Sequence, residues 1–443
     1  MSTIDLTQGD EQKLLIKTTI PTLWALLASI GMSLTDTFFA GRLGADELTA
    51  IGFTFPVVMA VMSLPFGIGV GASSLVSRSI GNRDPNKTRI YATLSLFATL
   101  PASVFTAIAG ISSINPVFRL LGAPEHLLPL IHEYMSVWYA GAPAVFMLMV
   151  GNAVIRAAGQ VVWPVRIIVV AAGANLILDP IFIFGCPGFP PMGLKGAALA
   201  TILASLIALC AGLFVLIKKL KLVYPAHCFS NLRNHGPKIA KVALPAGVAH
   251  LISPLGMAIS TRLVAGVGSE AVAGFSIAIR IESFALLVIV ALAGIMTSFS
   301  GQNWGANRGD RIVRGLKAAF RFSTLWSAAI AVCLWLSAEQ LAGLFSEQSE
   351  IVQAARLYLV MIPITYVFLS AVMLIGGTAN GIGFAKPALL MSMSRLFLLY
   401  LPFALLLSEI FGLQGLYGAT AISNTIVGVY AFAWARRKMK DYQ

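Results

Sequence analysis

The run GLKGAALATILASLIALCAGLFVLI, residues 193–217, decides the class of fold to which this chain belongs. Lys195 is its only charged residue, and the run is long enough to cross the roughly 30 Å hydrocarbon core of a bilayer as a helix. Backbone polar groups inside hydrocarbon must form hydrogen bonds within their own segment, which favours a helix over any open strand. We therefore predict a transmembrane α-helix over these residues.

Similar apolar runs recur along the whole chain, bounded by polar, Gly-rich or Pro-rich stretches. We predict twelve spans, at 14–39, 50–77, 91–114, 134–155, 164–185, 193–217, 238–264, 270–300, 319–338, 357–378, 387–408 and 413–435. Hydrophobic residues make up 58% of the 443 residues and charged residues 11%, whereas soluble domains contain about 25% charged residues. The chain is therefore predicted to be an all-α integral membrane protein with the lipid bilayer as its partner.

The positive charges alternate between the two sides of this twelve-span arrangement. Only Arg42, Arg119, Lys195 and Arg356 fall in the loops of one side, against 24 Lys and Arg on the side of the termini. Lysine and arginine accumulate in cytoplasmic loops, so both termini are predicted to be cytoplasmic, in a bacterial inner membrane. Topology thus accounts for the net charge of +13, and we predict no binding to nucleic acid.

The chain repeats itself at an offset of about 220 residues, which indicates two related halves. The segment at 40–44 resembles the one at 265–268, and the segment at 193–197 resembles the one at 415–419. Each half holds an even number of spans, so the repeats share one orientation, as in some secondary transporters. We predict two six-helix bundles, at 1–217 and 238–443, joined by a basic cytoplasmic linker at 218–237.

Sequence signatures of catalysis are absent from the chain. It contains no HExxH, GxSxG or Walker A motif, and its four cysteines lack the spacing of a disulfide framework or a metal site. The protein is therefore predicted not to be an enzyme, to need no cofactor and to act as a monomer. Transport would then be driven by an ion gradient, by a separate ATPase subunit, or by no energy source.

Asp36 lies inside the first span, between Thr35 and Thr37 and downstream of Pro21. Ionisable residues within the membrane are costly and mark functional sites by default, and proline kinks a helix because it removes a backbone hydrogen bond. Asp36 is therefore a candidate proton- or cation-binding carboxylate on a helix that can bend. The alternative is a structural one, in which Asp36 caps the outer helix end or pairs with Arg42.

Asp179 lies in the fifth span, one helical turn after Asn175 and directly before Pro180. Residues four apart share a helix face, so the amide and the carboxylate are predicted to point into one site. Together with Asp36 they could share a proton or bind a sodium ion through oxygen atoms. The alternative is that Asp179 caps the outer end of its helix.

A second group of ionisable residues lies in the other half of the chain. Arg280 and Glu282 are in the eighth span and Arg395 is in the eleventh. Residues two apart on a helix do not face each other, so each has to find its partner on another span, and Arg395 is a candidate partner for Glu282. A structural ion pair and a role in coupling both remain open.

Several of these segments together resemble one family, the multidrug and toxic compound extrusion (MATE) transporters. The resemblance rests on Asp36 with the following Phe39–Gly44, on Asn175–Phe182, on Gly193–Ala198 and on Gly301–Ala306. It covers nearly the whole chain. It implies a V-shaped pair of six-helix lobes that exports cationic or amphipathic drugs in exchange for protons or sodium ions.

The resemblance also implies roles for individual residues. DinF-type members of the family carry their key acids on helices 1 and 5, where Asp36 and Asp179 match them. Asn175 matches the amide of that site, Thr201 matches its helix 6 hydroxyl and Pro21 matches the proline at which helix 1 bends. NorM-type members add acids on helices 7 and 10, whereas span 7 offers His250 here and span 10 has no acid.

The sequence therefore predicts an antiporter that exports organic cations and amphipathic drugs by alternating access. Coupling to H⁺ or Na⁺ is assigned to Asp36, Asn175, Asp179 and Thr201, which are also the candidate Na⁺ ligands. The alternative is a flippase for a lipid-linked precursor, which Arg280 and Arg395 would suit as partners of a pyrophosphate headgroup. Acids in the first half favour cation export over this alternative.

Overall fold

The computed structural model describes residues 4–186, 188, 190–224 and 232–440, with side chains described through 438. These residues are helical apart from short connections. They form two compact units. The first contains Ile20–Gly247 with the residues before Leu6, and the second contains Leu6–Thr19 and Val248–Gln443.

Helices of the first half of the chain build the first unit. They are α1 (Glu11–Leu43), α2 (Ala45–Gly81), α3 (Pro85–Leu120), α4 (Leu128–Ala157), α5 (Val162–Phe184), α6 (Gly193–Phe214) and the start of α7 (Leu232–Ala265). A 3-10 turn at Glu125–Leu127 precedes α4, and a π-helical turn at Val215–Lys219 extends α6. The most extensive helix–helix contacts in this unit are those of α4 with α2, α3 and α6, and those of α5 with α6.

The second unit is built from shorter pieces. Its helices are α8 (Ser269–Ala285), α9 (Leu287–Gly305), α10 (Gly309–Gly343), α11 (Ser349–Met361), α12 (Tyr366–Ile382), α13 (Ala385–Met393) and α14 (Leu401–Lys440), together with the end of α7. A 3-10 turn at Pro363–Thr365 joins α11 to α12, and a π-helical turn at Ser394–Tyr400 joins α13 to α14.

The helices account for the predicted spans. Eleven helical stretches of the described chain are long and apolar enough to cross a membrane. The last of them, Ala385–Lys438, has 54 residues, far more than the about 20 that one crossing needs. Gly412, with φ +56°, interrupts it, so this stretch covers the eleventh and twelfth predicted spans. The predicted all-α membrane architecture is confirmed.

Small residues allow close helix packing in the second unit. A Cβ atom on Gly381 of α12 would collide with the backbone oxygen of Thr297 on α9, and one on Gly377 would collide with that of Ala293. Glycines one turn apart therefore let the two backbones touch. Close backbone approach is the usual basis of helix association in lipid, where apolar burial alone gives no driving force.

The segment before α1 packs onto the second unit. Leu6 is 2% exposed, its N–H donates to Gln302 Oε1 at 3.2 Å, and its carbonyl accepts from Asn303 Nδ2 at 3.0 Å. Arg311 Nη1 donates to Gly9 O at 2.8 Å and pairs with Glu11 at 3.1 Å. The Gly301–Ala306 motif thus binds the start of the chain.

This docking places residues 6–19 with the second unit, although they lie within the first predicted bundle, 1–217. Helix α1 begins in one unit and continues in the other from Ile20. The division at a linker over 218–237 stays a prediction, because residues 225–231 of that linker lie outside the described residues.

Candidate functional site

The structure brings together the four residues assigned to the first half of the chain. Asp36 is on α1, Asn175 and Asp179 are on α5, and Thr201 is on α6. Asn175 and Asp179 are completely buried, whereas Asp36 and Thr201 are half-buried. The i, i+4 spacing on α5 aims both side chains at the same neighbouring helices, as predicted.

The amide of Asn175 lies at the centre of this cluster. Its Nδ2 donates to Asp36 Oδ1 at 3.0 Å and to Asp179 Oδ1 at 3.1 Å, and Thr201 Oγ1 lies 3.4 Å away. Thr201 Oγ1 in turn donates to Asp36 Oδ2 at 3.3 Å. An amide has two N–H donors, so the two carboxyl groups share the donors of one side chain.

Two buried oxygens of the cluster lack a hydrogen-bond partner among the described residues. They are Asn175 Oδ1 and Asp179 Oδ2. A buried acceptor without a donor costs about 1–3 kcal/mol, and two carboxylates side by side repel each other. One proton on either carboxyl group adds a donor and removes this repulsion, so the cluster is suited to hold a proton.

A sodium ion fits the same geometry less well. The N–H side of the Asn175 amide faces both carboxylates, and sodium requires oxygen ligands there instead. The oxygens of Asp36, Asp179 and Thr201 remain as candidate ligands once the amide has turned.

Tyr134 is an additional residue of this site that we did not predict from the sequence. It is a buried residue of α4 and interacts electrostatically with both Asp36 and Asp179. A tyrosine in an apolar run has the same sequence appearance as any core aromatic residue. Only the packing of α4 in the first unit places it beside the acids.

Pro21 lies inside α1, directly after Ile20, the residue at which the chain enters the first unit. Helix α1 is continuous through it. Since proline has no N–H, the backbone hydrogen bond to the preceding turn is missing at this position. Bending at Pro21 therefore stays a prediction.

The ionisable residues of the second half separate into two sets. Glu282 accepts a short hydrogen bond from Tyr358 Oη and interacts electrostatically with Arg395. Arg395 Nη1 donates to Asn424 Oδ1 at 3.1 Å. Arg280 is exposed on α8, as its spacing from Glu282 predicts. The two arginines therefore belong to different environments.

Both halves of the chain match the same family. The MatE family model matches residues 21–181 and again residues 245–406. The same model thus fits each half once, in the same order, which agrees with the predicted internal repeat.

Two curated relatives match over nearly their full length. A protein of Shewanella oneidensis named FAD transporter is 35% identical over 426 residues, which cover 96% of this chain and 94% of the relative. A probable multidrug resistance protein of Bacillus subtilis, YpnP, is 26% identical and matches over 98% of this chain and 97% of its own.

Solved transporter structures share the fold. An outward-facing multidrug resistance MATE transporter matches with a TM-score of 0.93 and 27% identity, covering 100% of this chain and 99% of its own. The Vibrio cholerae MATE transporter VcmN in its bent form matches with a TM-score of 0.91 and 29% identity, covering 98% of each chain.

Proposed function

This chain belongs to the MatE family of multi-pass membrane transporters, and on that premise we propose that it is an H⁺-coupled antiporter exporting amphipathic and cationic compounds. It is a transporter and not an enzyme. The single observation that carries the coupling proposal is the joint hydrogen bonding of Asp36 and Asp179 to Asn175. We further propose that it works as a monomer in a bacterial inner membrane, with both termini cytoplasmic.

The proposed cycle depends on competition for the charge of this cluster. With both carboxyl groups ionised, the site carries two negative charges around one amide and attracts an organic cation. A proton taken up from outside lowers that charge and weakens the attraction. Antiport requires only that proton and substrate favour opposite states of the protein.

We propose the proton as the coupling ion, and not sodium, because of the orientation of the Asn175 side-chain amide. A proton can bind to either carboxyl group with the amide N–H donors in place, whereas sodium binding requires Asn175 to rotate first so that its oxygen faces the ion. A sodium-coupled version would keep the same four residues and change only the ion.

The test is ethidium export in vesicles with an imposed pH gradient or an imposed sodium gradient. We expect export driven by the pH gradient in the wild type, and a reduction of at least about tenfold in Asp36→Asn and in Asp179→Asn. Asp46→Asn is the matched control, because its carboxylate is 67% exposed at the start of α2. Normal export by inserted Asp36→Asn protein would contradict the proposal.

A second candidate substrate is an anionic flavin dinucleotide. The observation that favours it is the relative named FAD transporter, 35% identical over 96% of this chain. Exposed Arg280 on α8 offers a cation for phosphate groups. FAD movement into inside-out vesicles, lost in Arg280→Gln but unaffected in Arg262→Gln, would assign this substrate.

The flippase hypothesis makes a different prediction for the same vesicles. It expects no ethidium or FAD movement under either gradient, with movement of a pyrophosphate-linked lipid instead. Asp36 and Asp179 would then be dispensable for transport.

A further inference from the structure

A second buried polar cluster lies in the second unit, which we call the Glu282 cluster. Glu282 of α8 accepts from Tyr358 Oη of α11, and Arg395 of the π-helical turn donates to Asn424 of α14 at 3.1 Å. Asn424 Nδ2 donates onward to Thr365 Oγ1 at 3.1 Å. Five segments of the second unit thus meet around one acid and one guanidinium group.

Two tyrosine hydroxyl groups of this cluster lack a hydrogen-bond partner among the residues the structure describes. Tyr366 is 0% exposed and Tyr417 is 1% exposed. Tyr366 interacts electrostatically with Glu282, and Tyr417 packs edge-on against Tyr358 at 5.0 Å between ring centroids. Buried hydroxyl groups normally have partners, so the cluster contains donors that its own acceptors do not satisfy.

Glu282 is the acid on which these groups converge. It faces Tyr358 from α11, Tyr366 from α12 and Arg395 from the π-helical turn, and α14 adds Tyr417 behind Tyr358. Helix α10 contributes an uncharged contact, from Trp326 Nε1 to the carbonyl of Ala285 at 3.1 Å. Among the described residues, Glu282 and Arg395 therefore set the net charge of the cluster.

A proton on Glu282 changes the cluster more than it would change an exposed acid. With Glu282 ionised the cluster is neutral. With Glu282 protonated it holds one uncompensated guanidinium group among apolar helices, where a lone charge is costly. The protonation state of Glu282 therefore changes how well the charge of Arg395 is compensated within the cluster.

Helix irregularities lie close to both charged residues. Glu282 is in the last turn of α8, where its backbone carbonyl accepts from the N–H of Leu286, the residue between α8 and α9. Arg395 is within the π-helical turn Ser394–Tyr400, a type of insertion found mostly at functional sites. Helix directions can change at such breaks with little loss of backbone hydrogen bonding.

We propose that Glu282 is a second proton-exchanging carboxyl group, so that each unit carries one proton site and one substrate is exported for two protons. The step is the reversible addition of H⁺ to the Glu282 carboxylate, with Arg395 held by Asn424 in both states. This inference rests on the proton-coupled function proposed above.

Infrared difference spectroscopy of the purified full chain tests proton binding without transport. Acidification is expected to produce a carboxylic acid C=O band that disappears in Glu282→Gln and persists in Asp36→Asn. Tyr358→Phe is expected to shift this band, since it removes the hydrogen bond to the carboxyl group. Glu409→Gln, an exposed glutamate of the same unit, is the control. A spectrum unchanged in Glu282→Gln overturns the proposal.

The steady-state substrate gradient in vesicles with the membrane potential clamped tests the stoichiometry. Each coupled proton contributes about a tenfold substrate ratio per pH unit, so Glu282→Gln is expected to lower the ratio about tenfold per pH unit. A wild-type ratio in Glu282→Gln overturns the two-proton proposal and leaves proton coupling intact. If a pH gradient drives no substrate gradient in the wild type, both the two-proton stoichiometry and the proposed H⁺-coupled function are overturned. An infrared C=O band that disappears in Glu282→Gln would in that case still identify Glu282 as a proton site.

Discussion

At the scale of single residues, the hydroxyl of Thr201 has a specific position. It donates to the second oxygen of Asp36 at 3.3 Å, while Asn175 donates to the first. Both oxygens of Asp36 are therefore engaged, whereas Asp179 Oδ2 has no donor among the described residues. This asymmetry favours a proton on Asp179 when the pair holds one.

Replacing Thr201 with valine removes this donor and keeps the shape of the side chain. A net hydrogen bond to a charged group is worth about 1.5–3 kcal/mol, and the length of this one places it at or below the lower end. We expect Thr201→Val to lower ethidium export about tenfold and Thr201→Ser to retain it, measured with equal amounts of inserted protein. Equal activity of the two variants would show that the hydroxyl has no role.

Part of this site could be predicted from single residues and part could not. Asp36 and Asp179 are identified because an acid within an apolar span is rare, and Asn175 because it lies one turn from Asp179. Thr201 has no such signal in a helix with other small polar residues, and only the family resemblance indicated it. Tyr134 required the packing of α4, which no local pattern contains.

At the scale of elements, the start of α1 is held against α10 by opposite charges. The Glu11 side chain is 16% exposed and lies 3.1 Å from Arg311 and 3.0 Å from Arg314. The Arg311 side chain is 8% exposed, so Glu11 compensates a buried guanidinium group. The same carboxylate therefore joins the start of α1 to α10.

Neutralising Glu11 leaves this buried charge without its acid. We expect Glu11→Gln to lower the free energy of unfolding by roughly 1–3 kcal/mol, because a buried charged group loses its partner. Asp310→Asn is the control within the same cluster, since its pair with Arg314 is more than half exposed and is worth about 0–1 kcal/mol. The unfolding midpoints of Glu11→Gln and Asp310→Asn can be compared by thermal unfolding in the same detergent. Equal midpoints would contradict the proposed role of Glu11 in joining α1 to α10.

The contact between α9 and α12 depends on the absence of side chains. Gly381→Ala places a Cβ against the backbone of Thr297, so the helices have to move apart, and we expect a loss of about 1–3 kcal/mol. Gly294→Ala on α9 is the matched control, because no atom lies within 4 Å of the added Cβ and alanine favours a helix by up to about 1 kcal/mol. The two substitutions should shift the unfolding midpoint in opposite directions.

Helix interruptions show the limit of prediction at this scale. The predicted span 270–300 is broken at Leu286, where neither glycine nor proline marks the break. Prolines do mark two other irregularities. Pro402 follows the π-helical turn at Ser394–Tyr400 and cannot donate to the carbonyl of Leu398, and Pro363 indicates the break between α11 and α12. Breaks that arise from packing or from a buried charge have no local sequence signal.

At the scale of the whole molecule, hydropathy and the requirement for internal backbone hydrogen bonding are sufficient to predict the helices. The internal repeat predicts two related halves, and the family match to each half agrees with it. The position of residues 6–19 was not predictable in this way. Their contacts with Gln302, Asn303 and Arg311 join residues nearly 300 positions apart, and no periodicity relates such residues.

The orientation in the membrane can be tested with the cysteines of the chain. Cys186 is exposed, in the connection between α5 and α6, on the side with few positive charges. Cys228 belongs to the basic linker and lies outside the described residues. With Cys210, Cys333 and one of these two replaced by serine, the other can be studied as the only remaining cysteine.

A thiol reagent that does not cross membranes should label Cys186 in intact spheroplasts and Cys228 in inside-out vesicles. This expectation follows from the 24 Lys and Arg on the side of the termini, which the translocation machinery retains in the cytoplasm. Labelling after detergent lysis controls for reactivity. The reverse pattern would place both termini outside, and the proton proposed to enter through Asp36 and Asp179 would then have to move in the opposite direction through the same site.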